Sequence, residues 1–398
     1  MALGLSLADH LLQYMQLNLQ YDVAIIGGGL AGLAASILLA KQGHSVILFE
    51  KEKYPFHKVC GEYISFESKD FLNSLGLPLD EMQLPVIDTL FLTAPDGRSF
   101  QTPLPLGGFG ISRYKLDGML AETAKSLGVH LIEETRVDDV VYTDSFLIRF
   151  SSKQTQIKTI SANICCAAYG KRTNLDIKWK RRFLEEQDKS LYNYVGVKYH
   201  VKTNIQQGNI IGLHNFKNGY CGISQIEGDK YCLCYMTKAE NLRKSNNNIR
   251  QMERDVLSEN PHLRRIFEES SMVDSFPVTI SQINFNRKTQ VENHMLMLGD
   301  AAGMITPLCG NGMSMALHSA KIAAGLIHQY LENKISRTGM ENHYVQQWQR
   351  QFSSRLKTGR MLQRFFGSRT ISNLFVQTFR TFPFLAAPVV KMTHGKPF

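Results

Sequence analysis

The stretch Tyr21 to Glu50, YDVAIIGGGLAGLAASILLAKQGHSVILFE, carries the densest information in the chain. It reads as a strand over Val23 to Ile26, a glycine turn, an amphipathic helix, and a second strand over Ser45 to Phe49 that ends on an acid. Gly27, Gly29 and Gly32 fill a G-x-G-x-x-G pattern in the context that gives it meaning, directly after a strand and opening a helix. Gly27 makes the tight turn, Gly29 lets backbone approach a pyrophosphate, and Gly32 lets the helix lie close on the sheet. Free N–H groups at the helix start then face phosphate, where the helix dipole favours negative charge. Glu50 stands where it can accept hydrogen bonds from an adenosine ribose diol. Its charge would repel a 2′-phosphate, so the site suits FAD or NAD better than NADP.

Beyond this unit the chain has room for two or three domains in its 398 residues. Its seven cysteines are odd in number and lack the paired spacing of a disulfide framework or a zinc site, which indicates a reducing compartment and no metal centre. Residues 1–20 carry no Lys or Arg and no long apolar run, so they read as an extra amphipathic helix or an over-long start rather than a secretory signal. No stretch approaches the roughly 18 apolar residues of a spanning helix. The formal charge of +10 is not a nucleic-acid signal, because it is concentrated in the tail. From Arg350 onward there are nine basic residues and no acid, while the rest of the chain is nearly balanced.

Taken in order, residues 51–65 form a loop containing His57 and Cys60-Gly61-Glu62, leading to a helix over Phe66 to Leu75. Residues 86–93 and 98–102 form a hairpin around Asp96-Gly97. Arg113 precedes a helix whose apolar positions have helical spacing, and a strand follows from Val129 to Ile132. A small antiparallel meander leads to a buried strand over residues 162–168. Residues 190–237 are strand-like, with a Gly228-Asp229 hairpin, and helices over 241–258 and 261–269 close the region. Cys232 and Cys234 are expected to share one face of a strand as core residues, and Lys171-Arg172 to form a solvated edge.

The chain then returns to the cofactor. An apolar strand over Met295 to Leu298 runs into Gly299-Asp300-Ala301-Ala302, a Pro307 loop, and Gly310-Asn311-Gly312, which opens a long helix at about Met313. Asp300 at a strand end can bind a ribityl hydroxyl. The helix start can hold the negative charge that a flavin gains at N1 and C2=O on reduction.

The fingerprint, Arg113 before its helix, and GDAAGMITPLCGNGMSMALHSAKIAA together resemble the glutathione-reductase-type FAD-binding fold of the aromatic hydroxylase and geranylgeranyl reductase superfamily, over about residues 21–330. The resemblance implies that Arg113 contacts FAD and that Asp300 binds the ribityl chain. Gly303, where hydroxylases usually carry histidine, and the Cys-Gly pair after the second strand look like the reductase branch, which places Cys60 near the isoalloxazine. Two departures stand out. Tyr169 occupies the position of the hydroxylase acid, and Tyr220-Cys221-Gly222-Ile223-Ser224-Gln225 keeps only the tyrosine of the reductases' substrate signature.

The expected architecture is α/β. A discontinuous FAD-binding domain (21–85, 105–180 and 285–330) accompanies an antiparallel substrate domain (86–104 and 181–284), an N-terminal extension and a helical basic tail (331–398). The expected activity is FAD-dependent reduction of C=C bonds in a hydrophobic, isoprenoid- or polyketide-like substrate, with NAD(P)H as external donor. Cys60 and Tyr220 are the candidate catalytic residues. Gly27, Gly29, Gly32, Glu50, Arg113, Gly299, Asp300, Gly310, Asn311, Gly312 and Met313 are the candidate FAD-binding residues. The alternatives are a monooxygenase acting on a phenolic lipid and a non-catalytic lipid escort protein. The expected location is cytoplasmic. The tail is a candidate for peripheral attachment to an anionic inner membrane face, each near-surface basic residue adding about 1 kcal/mol; packing on the cofactor domain is the equal alternative.

Overall fold

The computed structural model describes residues 20–152, 157–185, 192–306, 310–365, 368–393 and 395–398. The predicted helix within residues 1–20 and the Pro307 loop with Cys309 lie outside the described residues. Two sheets organise the rest. The first runs Val291–Glu292, Met295–Met297, Lys158–Ala167, Gln20–Ile26, Val46–Phe49, His130–Ile132. Its inner strands are parallel, with Val23 beside Val46 on one side and beside Ile164 on the other. Parallel strands covered on both faces read as continuous apolar runs, which VAII, VILF and ICCA do. The meander of Thr135–Tyr142 and Phe146–Ser152 joins this sheet antiparallel to Lys158–Ala167.

The helix Leu30–Lys41 packs between Arg113–Ser126 and Gly312–Leu331. It is buried almost all round, including Ala31, Leu33, Ala34, Ala35, Ile37 and Leu39, so the expectation of an amphipathic helix is corrected. Neighbours on both flanks leave it no solvent face. Its alanines let three helices share the space over one sheet.

The second sheet, in the order Ser271–Met272, Tyr192–Lys202, Lys230–Lys238, Gly219–Ile226, Ile210–Phe216, Val86–Thr93, Ser99–Gly110, Tyr63–Ser65, is largely antiparallel. The Gly228-Asp229 turn has positive φ at both residues, as a tight two-residue hairpin requires. The strand after Asp96-Gly97 extends to Gly110 rather than stopping at residue 102, because its far end pairs with Tyr63–Ser65. The helix predicted over 241–258 is two helices, Ala239–Lys244 and Ile249–Asp255. Asn246 and Asn247 adopt positive φ between them, and Asn248 caps the second by accepting from the Gln251 N–H.

The tail is helical, over Arg337–Phe365, Arg369–Thr381 and Ala386–Thr393. Met340, Tyr344, Trp348, Phe352 and Leu356, each four residues from the last, are buried in the core of the first sheet and its helices. Val376 and Phe379 pack with Leu92 and Ala94 of the second sheet. Arg350, Lys357, Arg369, Arg380, Lys391 and Lys396 are exposed.

Candidate functional site at the junction of the two sheets

The three fingerprint glycines do different work. Gly27 has φ +103°, and a Cβ there would sit 2.6 Å from the Ala168 carbonyl oxygen. A Cβ on Gly32 would sit 2.0 Å from the Gly27 oxygen. Both are excluded by packing within the protein. Gly29 has ordinary extended backbone, and a Cβ there meets no atom within 4 Å. Its glycine therefore answers to no protein contact, and the open space beside the free N–H groups of a helix start is the cradle that a pyrophosphate needs. Glu50 is buried, and its carboxylate accepts from Gly28 N–H at 2.9 Å and Glu52 N–H at 3.1 Å. That fixes the carboxylate beside the turn with acceptor capacity left for a ribose diol. Tyr54 lay outside the sequence reading. Its hydroxyl donates to the Gly28 carbonyl and lies 1.9 Å from where a Gly28 Cβ would be.

At the end of the strand Met295–Met297, Gly299 has positive φ and donates its N–H to Ser319 Oγ at 2.9 Å, tying the strand end to the helix Gly312–Leu331. Asp300 is half-buried there, and its carboxylate has no hydrogen-bond partner among the described residues. Gly310 has φ +68° and lies against the Tyr63 ring, Asn311 is fully buried as the residue preceding the helix, and Met313 is buried in its first turn. A Cβ at Gly303 would lie 2.7 Å from the Trp348 ring. The glycine in the place of the hydroxylases' histidine thus makes room for an indole from the tail, a contact that no local motif announces.

Tyr169 is likewise explained by a distant partner. Its hydroxyl donates to Asp176 at 2.6 Å and accepts from Arg181 at 3.1 Å. Arg181 is 1% exposed and donates also to the carbonyls of Ala301 and Thr289, so it locks the Asp300 turn to the first sheet. Lys288 is buried beside it, donating to the carbonyls of Lys171 and Asp300 at 2.8 Å each, and burial pushes its ammonium down to about 8. Of the predicted solvated edge, Arg172 is exposed and Lys171 only half so.

Between these ends lies a buried charge cluster that sequence reasoning missed. Glu62 is fully buried with φ 55°. It accepts from Lys198 Nζ at 2.5 Å, His200 Nε2 at 2.6 Å and the Arg113 N–H at 2.8 Å. Burial would raise its carboxyl, but the His200 hydrogen bond and the Lys198 charge outweigh burial and hold it below the ordinary 4.5. Arg113 sends Nε and one terminal nitrogen to the buried Asp117, both at 2.7 Å, and its guanidinium also reaches the Cys60 thiol. Lys58 completes the pairing of Asp117 at 3.1 Å.

His57 and Cys60, which form a pair without partners when read locally, gain neighbours from a helix and from strands distant in the chain. His57 stacks on Tyr114 and meets the edge of His200, and Asp274 lies 3.9 Å from His200 Nδ1. Cys232 donates its thiol to the Cys60 carbonyl at 3.2 Å, and Ser224 donates to that of Gly61 at 3.2 Å. Cys232 and Cys234 do share a strand face, but it is the face toward the Cys60 loop, and Cys234 is only half-buried.

That face is graded. Register aligns Lys198, Cys234, Gly222 and Leu213 in one row, and Gly196, Met236 and Tyr220 in the next. The polar end is the Glu62 cluster. At the apolar end Tyr220 is buried with Tyr194, Met236, Ile283, Phe285 and Met304. Cys60 and Tyr220 therefore belong to opposite ends of one face.

The chain matches the family model described as "FAD binding domain" over residues 20–342. It is 24% identical over 372 residues to conditioned medium factor receptor 1 of Dictyostelium discoideum, covering 87% of this chain and 71% of that protein. It is 24% identical over 344 residues to digeranylgeranylglycerophospholipid reductase of Methanococcus vannielii, covering 82% of each. Among solved structures, the flavin-dependent brominase Bmp2 superposes with a TM-score of 0.75 at 19% identity, covering 94% of this chain and 93% of that one. The open cradle at Gly29, the anchored Glu50 and the family match over residues 20–342 agree, and the chain belongs to the FAD-binding-domain family of FAD-dependent oxidoreductases.

Proposed function

We propose that this protein reduces C=C bonds of a hydrophobic, isoprenoid- or polyketide-like substrate, with NAD(P)H as the external electron donor. The observation that carries this reading is the graded sheet face, on which an apolar cluster at one end is followed by the buried Glu62–Lys198–His200 cluster beside Cys60 at the other. Gly27, Gly29, Gly32, Glu50 and Asp300 would hold FAD, which supplies hydride chemistry when bound.

The chain's own residues do the rest. Tyr220, Met236, Tyr194 and Met304 offer an alkenyl chain an apolar wall and exclude water. Reduction of a C=C bond needs one proton for the carbon that does not take hydride. Cys60 carries a thiol at the polar end, and the Glu62–Lys198–His200 cluster holds protons behind it. His200 links this cluster toward the exposed Asp274, which gives a route for its replenishment from solvent. The digeranylgeranylglycerophospholipid reductase among the relatives supports a lipid substrate by its name.

The test is anaerobic reduction of the FAD-loaded protein followed by alkenyl lipids, with mass analysis of the product. The expected product is two hydrogens heavier and carries no oxygen-18 when oxygen-18 gas is admitted. Label in the product would make the protein a monooxygenase on an aromatic or phenolic lipid, and incorporation of supplied bromide would make it a halogenase.

A further inference from the structure

Residues 369–391 leave apolar tips in water that the packing of the tail does not use. The helix Arg369–Thr381 buries Ser372, Val376 and Phe379, and its opposite face exposes Ile371 at 40% and Leu374 at 66%. The turn that follows exposes Phe382 at 49% and Phe384 at 71%. Arg369, Arg380 and Lys391 are exposed along the same stretch, and residues 351–398 contain no acid.

We propose that this surface docks on an anionic phospholipid membrane. Aromatic and aliphatic tips among cations, in a segment free of acids, match a surface that is negative at its headgroups and apolar just beneath them. A nucleic acid would leave the apolar tips unused, and a neutral apolar protein face would leave the cations unpaired.

The patch also stands over the substrate face. Phe379 and Val376 pack in one cluster with Leu92, Ala94 and Leu213. Leu213 packs as well with the cluster of Tyr220, Met236 and Met304, so apolar side chains run without a break from the exposed tips to the apolar end of the sheet face. The geometry fits a lipid drawn from the membrane beneath the helices Arg369–Thr381 and Ala386–Thr393. This route rests on the apolar-substrate reading above, whereas the membrane contact stands without it.

Flotation of the full FAD-loaded chain tests the contact with no turnover involved. The protein should rise with vesicles containing phosphatidylglycerol, remain at the bottom with phosphatidylcholine alone, and be released by salt. Changing Arg369, Arg380 and Lys391 together to Gln should weaken association on the order of a hundredfold, each near-surface charge counting for about a factor of five. Leu374→Ser with Phe382→Ser and Phe384→Ser should weaken it at least as much, while flavin absorbance stays unchanged because all three side chains are exposed. A wild-type protein that ignores both vesicles would overturn the proposal. So would an apolar triple variant that floats like the wild type, or a wild-type dimer in sedimentation that this variant splits.

Discussion

Glu62 and Lys198, 136 positions apart, meet at 2.5 Å with neither side chain more than 1% exposed. An ion pair this deep is expensive to desolvate and stays only where its remaining lone pairs are satisfied. Here the second carboxylate oxygen takes His200, and the backbone N–H of Arg113 adds a further bond.

Removing one partner leaves the other charge stranded. Glu62→Gln should lower unfolding free energy by about 3–5 kcal/mol in urea titrations near neutral pH. The pH dependence has a definite sign. The folded carboxyl lies below its ordinary 4.5, so its contribution is present above that value and is lost as pH falls through the folded value. Urea midpoints of the wild type should therefore fall toward those of Glu62→Gln on acidification below pH 4.5.

The phosphate cradle is tested by two neighbouring glycines. Gly29→Val meets no protein atom and should give a folded but colourless protein, because its side chain fills the pyrophosphate path. Gly32→Ala drives a Cβ against the Gly27 oxygen and should lower the melting temperature whether or not FAD is present. A yellow Gly29→Val protein at full occupancy would refute the phosphate assignment.

Lys288 gives an alkaline signature. Its folded value of about 8 lies under the ordinary 10.5, so the unfolded chain binds more protons between them and stability rises with pH across that window. The groups around it are Asp176 and Asp300, which favour the charge, and Arg181 and Lys171, which oppose it. The wild-type rise relative to Lys288→Met should approach about 3 kcal/mol, read from denaturant midpoints between pH 8 and 10.5.

Cys60→Ser separates cofactor binding from chemistry. The substitution should leave FAD absorbance intact and sharply reduce alkene reduction, because a hydroxyl is a far weaker acid than a thiol. Normal turnover in this variant would remove the thiol's role and leave the Glu62 cluster as the proton source.

The parts of the site within one local unit were legible in the sequence. The Gly27–Gly32 turn, Glu50, the Gly228-Asp229 hairpin and the Gly299–Asp300 strand end each carry their reason in neighbouring residues. What escaped depends on partners brought together by the sheets. Glu62 reads as a loop acid until Lys198 and His200 arrive from another strand, and Tyr169 reads as a lost acid until Asp176 and Arg181 close on it. Gly303 acquires its meaning only from Trp348. The helix break at Asn246-Asn247, where the sequence reading runs one helix over 241–258, lies in two asparagines that adopt positive φ.

The strand Gln20–Ile26 is flanked by Val46–Phe49 and Lys158–Ala167, and Met295–Met297 adds outside the latter. A nascent chain emerging from the ribosome therefore has both neighbours of its fingerprint strand by residue 167, but leaves the far side of Lys158–Ala167 without Met295–Met297 until nearly three quarters of its length is made. Asp300 and the start of the helix Gly312–Leu331 are made later still. Flavin capture is consequently a late event in biosynthesis, and a truncated translation product ending before residue 331 would expose an unfinished parallel sheet to chaperones and proteases rather than yield a smaller working flavoprotein.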